Sequence, residues 1–213
     1  MVAVEESLPL AQVEDVIRQR ARWIFEAREQ FFSQRYFAVH YRYVSGETHF
    51  YLGKKYQLQI TDTSQGVAVK LKNGKFLVPS KFPWSRDEET MLKRAEEVKT
   101  RLQAWYKARA QSLLKQRLEI LCKIVPWCTS VPPCRLRLMK KRWGSCSDSG
   151  SLILNPLLVR ASTECIDYVI LHELCHLKIH NHSDAFWMLL TQVCPDWKIR
   201  KTKLDAIAEI WIG

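Results

Sequence analysis

The sequence lacks several features that would each define a class of protein. It has no apolar run of about eighteen residues, which a membrane-spanning helix would need. Its first residues, Met1–Glu6, have neither the basic start nor the long apolar stretch of a signal peptide. It also lacks a glycine-rich loop of the kind that holds phosphate groups. We therefore expect no membrane span and a location in the cytoplasm or the nucleus.

The cysteines do not form a recognisable zinc or disulfide pattern. There are seven of them, an odd number, and no two are separated by only two residues. Cys122, Cys128 and Cys134 are spaced six apart, which matches no common zinc motif. The sequence therefore predicts reduced thiols, as in most proteins of the cytoplasm or the nucleus.

Acidic residues are scarce relative to basic ones, and the formal net charge is +11. Nine basic residues and three acidic ones lie between Lys93 and Lys123, and smaller basic groups lie in residues 135–142 and 198–203. Such a charge favours polyanionic partners such as nucleic acid or nucleotides. Each group also fits an ordinary solvated surface, and no recognised nucleic-acid-binding motif is present.

The first part of the chain, residues 1–84, reads as a helix followed by a small antiparallel sheet. Apolar residues at helical spacing predict a helix over residues 13–32. Short β-prone runs separated by glycines predict strands within residues 41–79. Asn73-Gly74 between two such runs predicts a tight hairpin turn of type I′.

The second part, residues 85–213, reads as helices around a short hairpin. A long basic helix is predicted over residues 85–122, with Ser85 as its N-cap. Strands over residues 135–139 and 151–155 are expected to pair as a hairpin, with a turn at residues 147–150. A last helix is expected over residues 197–212. The fold class is therefore α+β, in one domain or two small ones.

The strongest functional signal is the run His172-Glu173-Leu174-Cys175-His176 in an apolar helical pattern. Residues four apart lie on the same face of a helix, so His172 and His176 can bind one metal ion. Glu173 is then placed to act as general base on a metal-activated water. The alternative is a helix with two packed histidines. The apolar neighbours indicate a buried helix: Val169, Ile170, Leu171, Leu174 and Leu177.

A catalytic zinc usually has three protein ligands and one open position. His180 lies eight residues beyond His172, about 12 Å along a continuous helix, which is too far to share an ion. His182 reaches the metal only if the helix ends before it. We expect His182 to be the third ligand, with Glu209 as the weaker rival.

A break in the helix is predicted just ahead of His182. Asn181 tolerates the left-handed conformation that often ends a helix. Ser183 can then cap a new helix that begins at Asp184. Phe186 and Trp187 near its start are expected to pack in the core.

Several separated segments together resemble one known family in their order and spacing. They are Arg142-Trp143-Gly144-Ser145-Cys146, Asn155, the segment from Asp167 to Leu177, Asn181-His182-Ser183 and Phe186-Trp187. This series resembles the YgjP-like metallopeptidase family, which is related to the SprT and WLM zinc peptidases, and the likeness extends from about residue 13 to the end. Members usually begin with a β-rich segment ahead of the first helix, and this sequence departs from them there.

The resemblance implies a zincin-like fold and a zinc site of His172, His176 and His182, with Glu173 as the catalytic base. It also implies a cleft beside the metal helix, where a strand binds extended substrate by edge pairing. The substrate-binding residues that it implies are Arg142, Trp143, Gly144, Ser145 and Asn155. Asp167 is expected to contribute a negative charge near the start of the metal helix.

The leading hypothesis is a zinc-dependent hydrolase, most simply a metallopeptidase acting on peptides or proteins. A metal-dependent nucleoside triphosphate pyrophosphatase is one alternative, because a basic cleft with a divalent ion suits phosphoanhydrides. A DNA-tethered protease of the SprT kind is another. A non-enzymatic protein would have no need of Glu173. The sequence does not indicate the oligomeric state.

Overall fold

The computed structural model describes residues 41–62 and 68–212, without the side chains of residues 208–212. The helix predicted over residues 13–32 lies outside the described residues. The chain divides into two compact units, 1–39 and 40–213, and every described residue belongs to the second. Within the described ranges, no helix combines the length and apolar character that a membrane span requires.

The first sheet has four strands in the order β1-β2-β4-β3. The strands are β1 (Thr48–Tyr51), β2 (Lys54–Asp62), β3 (Lys70–Lys72) and β4 (Lys75–Ser80). Asn73 and Gly74 have φ values of 49° and 72°, which confirms the predicted tight turn between β3 and β4.

The prediction of a wholly antiparallel sheet is wrong, because β2 and β4 are parallel. The reason lies in burial. Phe76 and Val78 of β4 are fully buried, so β4 takes a central position. The exposed lysines of β3, Lys70 and Lys72, suit an edge strand instead.

Helix α1 (Glu88–Ile124) contains 37 residues and is therefore about 55 Å long. Its N-cap is Asp87, whose carboxylate accepts a hydrogen bond from the backbone N–H of Thr90 at 2.8 Å. The prediction of Ser85 as the cap is wrong, since its hydroxyl accepts from the N–H of Asp87 instead. The predicted helix itself is confirmed. One face is buried over most of the helix: Val98, Leu102, Tyr106, Ala110, Leu114, Leu118 and Leu121.

Helix α1 packs against both halves of this unit. It contacts β4 of the first sheet, and it also contacts β5 (Cys134–Leu136), the 3₁₀ helix Pro156–Arg160 and helix α2 (Thr163–His176). The boundary between two domains at residues 84 and 85 remains a prediction. In the structure, the residues on either side of it share one core.

The second sheet has three strands in the order β5-β7-β6, with β6 at Gly144–Cys146 and β7 at Leu152–Leu154. The strands predicted over residues 135–139 and 151–155 correspond to β5 and β7. The prediction that they form a hairpin is wrong, because β5 and β7 are parallel. The hairpin is instead formed by β6 and β7 around the predicted turn at residues 147–150. β6 was missed because Gly-Ser-Cys has no β-forming character.

The cysteine prediction is wrong for one pair, because Cys122 and Cys128 form a disulfide across the end of α1. The chain turns back after α1 and brings the two residues together, with Cα atoms 5.4 Å apart. Sequence spacing alone does not reveal such a turn. The five other cysteines are free thiols. Between the paired cysteines, the indole N–H of Trp127 donates to the carbonyl of Leu174 in α2 at 2.9 Å.

Candidate active site

Helix α2 begins at an N-cap, Ser162, and carries His172 and His176 on one face near its C-terminal end. Their ring centroids are 4.9 Å apart, as expected for residues one turn apart. The helix ends at His176, so the chain is free to turn. Helices α3 (Asp184–Val193) and α4 (Trp197–Ile212) follow it.

The turn after α2 brings His182 back to the other two histidines. Its ring centroid lies 4.7 Å from that of His176 and 5.0 Å from that of His172. One nitrogen of each ring can be chosen so that all three lie within 4.8 Å of one another. The break is therefore present, but Asn181 does not adopt the predicted left-handed conformation. Its side-chain oxygen instead accepts a hydrogen bond from the N–H of Ser183, the N-cap of α3.

The three imidazoles fit the donor set of a zinc ion. The Nε2 atoms of His172 and His182 are 3.1 Å apart, close to the roughly 3.3 Å between two nitrogens bound tetrahedrally at 2.0–2.1 Å. The Nδ1–H of His176 donates to the carbonyl of Ile179 at 3.0 Å, because a carbonyl can only accept. That bond leaves the Nε2 lone pair of His176 available. Nδ1 of His172 is buried and has no hydrogen-bond partner among the described residues.

Burial keeps two of these rings neutral. Burial is the main cause, and together with the neighbouring charges of His176, His182 and Lys201 it lowers the pKa of His172 to about 3. Burial also lowers the pKa of His176, against the hydrogen bond to Ile179. Both rings are therefore neutral near pH 7, which is the form that binds a metal.

An aromatic wall holds the histidines from the side of α3. Phe186 is fully buried and stacks on His176 with ring centroids 4.6 Å apart, so its predicted place in the core is confirmed. Trp187 is half-buried and lies 5.5 Å from His182 between ring centroids. Trp187 is itself stacked on Trp197 at 4.5 Å. The third histidine is thus backed by rigid rings.

Glu173 lies beside the cluster and is 5% exposed. Burial raises the pKa of its carboxyl to about 8, while the charge of Arg142 acts in the opposite direction. A cation held by the three imidazoles would favour the carboxylate and lower this pKa. A buried carboxyl whose charge depends on a neighbouring ion is typical of an acid–base group.

Gly144 of β6 lies directly against Glu173. A Cβ atom at this position would be 2.5 Å from Oε1 of Glu173, which is too close for any side chain. The backbone of β6 therefore forms one wall of the Glu173 site. The resemblance had suggested Gly144 as a substrate contact, and the structure adds this reason for a glycine.

Replacing Gly144 with alanine should displace the carboxyl group of Glu173. If Glu173 is the general base that the sequence predicts, the Gly144→Ala variant should bind metal as the unmodified protein does and lose about 100-fold in kcat, because a catalytic group displaced by about 1 Å can cost that much. Metal analysis and peptidase kinetics measure the two effects. Gly74→Ala is the control, since a Cβ there meets nothing within 4 Å and its positive φ would affect stability only. Normal kcat in Gly144→Ala would contradict the placement of Glu173.

A cleft of about 490 Å³ opens over the histidines and Glu173. Its walls come from the segment before β6, from β6 itself, from α2 and from α4. Four of the substrate-binding residues implied by the resemblance line it: Arg142, Trp143, Gly144 and Ser145. Four other lining residues were not predicted as part of the site: Lys141, Tyr168, Leu204 and Asp205.

The resemblance also implied Asn155 as a substrate-binding residue, and the structure corrects this prediction. Its side chain is fully buried and does not line the cleft. Its amide group donates to the carbonyls of Met139 and Arg142 at 2.9 and 3.1 Å. Its side-chain oxygen accepts from the N–H of Leu157. Asn155 therefore holds the segment before β6 in place and contacts no substrate.

Two other polar residues, Asp167 and His180, make side-chain contacts outside the histidine cluster. Asp167 accepts two hydrogen bonds from the guanidinium of Arg117, at 2.8 and 2.7 Å, and so ties α2 to α1. It was expected to act as a charge near the helix start. His180 is exposed, and its Nδ1 lies 3.9 Å from a carboxylate oxygen of Asp148. The side chain of Glu209 lies outside the described residues.

Comparison with known proteins identifies the group to which this arrangement belongs. A family model described as the YgjP-like metallopeptidase domain matches residues 1–207. The chain belongs to this family. It is therefore an enzyme of the hydrolase class. The α+β fold class that the sequence pattern predicts is confirmed by the helices and strands of the structure.

Two solved structures are similar to this YgjP-like chain. One is the metallopeptidase zymogen abylysin of Pyrococcus abyssi, with 28% identity and a TM-score of 0.39 over 44% of this chain and 90% of that one. The other is the metallopeptidase zymogen jannalysin of Methanocaldococcus jannaschii, with 24% identity and a TM-score of 0.36 over 42% and 94%. No curated protein matches.

Proposed function

We propose that this chain is a zinc-dependent peptidase in which His172, His176 and His182 hold the metal and Glu173 is the general base. The observation that carries the proposal is the convergence of three imidazoles, two from helix α2 and one from the turn after it, with a buried carboxyl beside them in one cleft. A purely structural zinc site is usually closed by four ligands and needs no base.

When bound, zinc would polarise a substrate carbonyl and make water acidic enough to lose a proton near neutral pH. Glu173 accepts that proton as the water attacks the carbonyl carbon. It then delivers the proton to the nitrogen of the departing amine, as a base that becomes an acid. Its burial keeps bulk water from competing for the proton.

Strand β6 is suited to hold an extended polypeptide. It lies at the edge of its sheet, because only β7 pairs with it among the described strands. Its other edge therefore offers backbone N–H and C=O groups to a substrate strand. Since Gly144 of β6 contacts Glu173, a peptide paired with β6 would lie beside the base.

The two alternative functions remain predictions, and no described feature favours either over peptide hydrolysis. A nucleoside triphosphate pyrophosphatase would need groups to hold the phosphates, and the chain lacks a glycine-rich loop. A DNA-tethered protease would keep the same zinc chemistry and add a nucleic-acid surface.

The first test is the metal content of the natively purified full chain, measured by elemental mass spectrometry. We expect about one equivalent of zinc, because the three histidines form one cluster and a catalytic zinc is held by three protein ligands with one open position. The zinc-loaded protein is then assayed against a quenched-fluorescent peptide library and, separately, for pyrophosphate release from nucleoside triphosphates. A protein that takes up no zinc would contradict the proposal, as would pyrophosphate release without peptide cleavage.

A further inference from the structure

The segment before β6 contains an unbalanced group of positive charges. Between Glu119 and Asp148 the sequence has no acidic residue. Five exposed basic side chains lie within residues 135–142, and none has an ion pair within the described residues: Arg135, Arg137, Lys140, Lys141 and Arg142. Unpaired charges on a surface favour a partner of opposite sign.

Two of the five, Lys141 and Arg142, line the cleft that contains Glu173 and the three histidines. Their backbone is held in place. The buried amide of Asn155 donates to the carbonyl of Arg142, and the N–H of Asn155 donates to the carbonyl of Trp143 at 2.8 Å. A fixed backbone limits the positions that the two side chains can reach, which favours selective binding.

Apart from Glu173, whose carboxyl lies close enough to Arg142 for the charge of the arginine to lower its pKa, the charges in the cleft are asymmetric along β6. Lys141 and Arg142 precede the strand, whereas Asp148 follows it and its side chain is fully exposed. Asp205, on the α4 side, is offset by Lys201, which is bonded to it at 2.5 Å. A substrate strand lying along β6 would therefore meet positive charge at one end and negative charge at the other.

We infer that the cleft selects polypeptides with acidic side chains on the side of the scissile bond that lies over the N-terminal end of β6, through Lys141 and Arg142. This inference rests on the proposed peptidase function. A peptide fits this arrangement better than nucleic acid does. Only two of the cations line the cleft, and Asp148 would repel a phosphate chain that continued along the strand.

The test compares peptides that differ only in Asp or Glu against the isosteric Asn or Gln, at each position on both sides of the cut. For the zinc-loaded full chain we expect acidic peptides to have the higher kcat/KM by roughly tenfold, on one side only, because each exposed charge pair is worth up to about fivefold. The Lys141→Gln/Arg142→Gln variant should bring this ratio close to one. The preference should also weaken with added salt.

The matched control removes two charges from the same segment outside the cleft. Arg135→Gln/Arg137→Gln should keep the acidic-to-neutral ratio of the unmodified protein. An equal loss of the ratio in both double variants would indicate a diffuse field and overturn the inference. An acid preference of equal size on both sides of the cut would also overturn it.

Binding of the same peptides to the Glu173→Gln variant, followed by fluorescence anisotropy, separates selectivity from catalysis. Cleavage without any acid preference would contradict the inference and leave the peptidase function standing. Preferential binding of acidic peptides with no cleavage by the unmodified protein would support the charge selectivity of the cleft and contradict the peptidase function. A nucleic-acid oligomer of equal charge is added as a competitor. If it binds more tightly and displaces the peptide, the inference that the cleft selects acidic peptides is overturned.

Discussion

The Glu173→Gln variant is expected to retain one equivalent of zinc and to lose about 100- to 10,000-fold in kcat/KM, the range that a positioned acid–base group supplies. Glutamine has nearly the shape of glutamate, so the packing against Gly144 is preserved. It cannot accept and return a proton. The zinc content and the peptidase kinetics of the same preparation measure both effects.

Glu164→Gln is the matched control for this experiment. Glu164 lies in the first turn of the same helix, is exposed and contacts Lys203 at 3.4 Å, away from the histidines. The control should keep both its metal and its activity. Ordinary turnover by Glu173→Gln would show that another group accepts the proton.

Replacement of His182 with alanine is expected to weaken zinc binding by more than about 100-fold, because even residues that only orient a ligand contribute about 10- to 100-fold. Peptidase activity should disappear in the same variant unless zinc is supplied in large excess. The structure makes this variant informative, since His182 comes from outside the helix that carries the other two histidines. Zinc titration monitored with a competing chelator measures the affinity.

His180→Ala is the natural comparison, because His180 is only two residues away and lies outside the three-histidine cluster. It should bind zinc as the unmodified protein does. If His180→Ala lost the metal and His182→Ala kept it, the ligand set would be wrong.

The features that depend on local spacing could be predicted from the sequence. His172, Glu173 and His176 follow from helical periodicity, and the place of His182 follows from the distance limit along a helix. The tight turn at Asn73-Gly74 follows from the conformation that those two residues favour. Each of these arguments needs only a few neighbouring residues.

The features that depend on distant segments could not be predicted in this way. The parallel pairing of β2 with β4 and the third strand, β6, are set by tertiary packing, which overrides weak local preference. The same holds for Asn155, a polar residue whose buried role appears only when the segment before β6 folds over it. The cleft position of Lys141 follows from that fold.

The length of helix α1 determines how the two sheets that it contacts unfold. One continuous buried face packs on β4 near its beginning and on β5 and α2 farther along, and Arg117 joins it to Asp167. The turn after β1 is also bonded to the 3₁₀ helix, from the N–H of Leu52 to the carbonyl of Val159. The two sheets therefore form one cooperative unit, and disruption of the first sheet would also release the helix that holds the histidines.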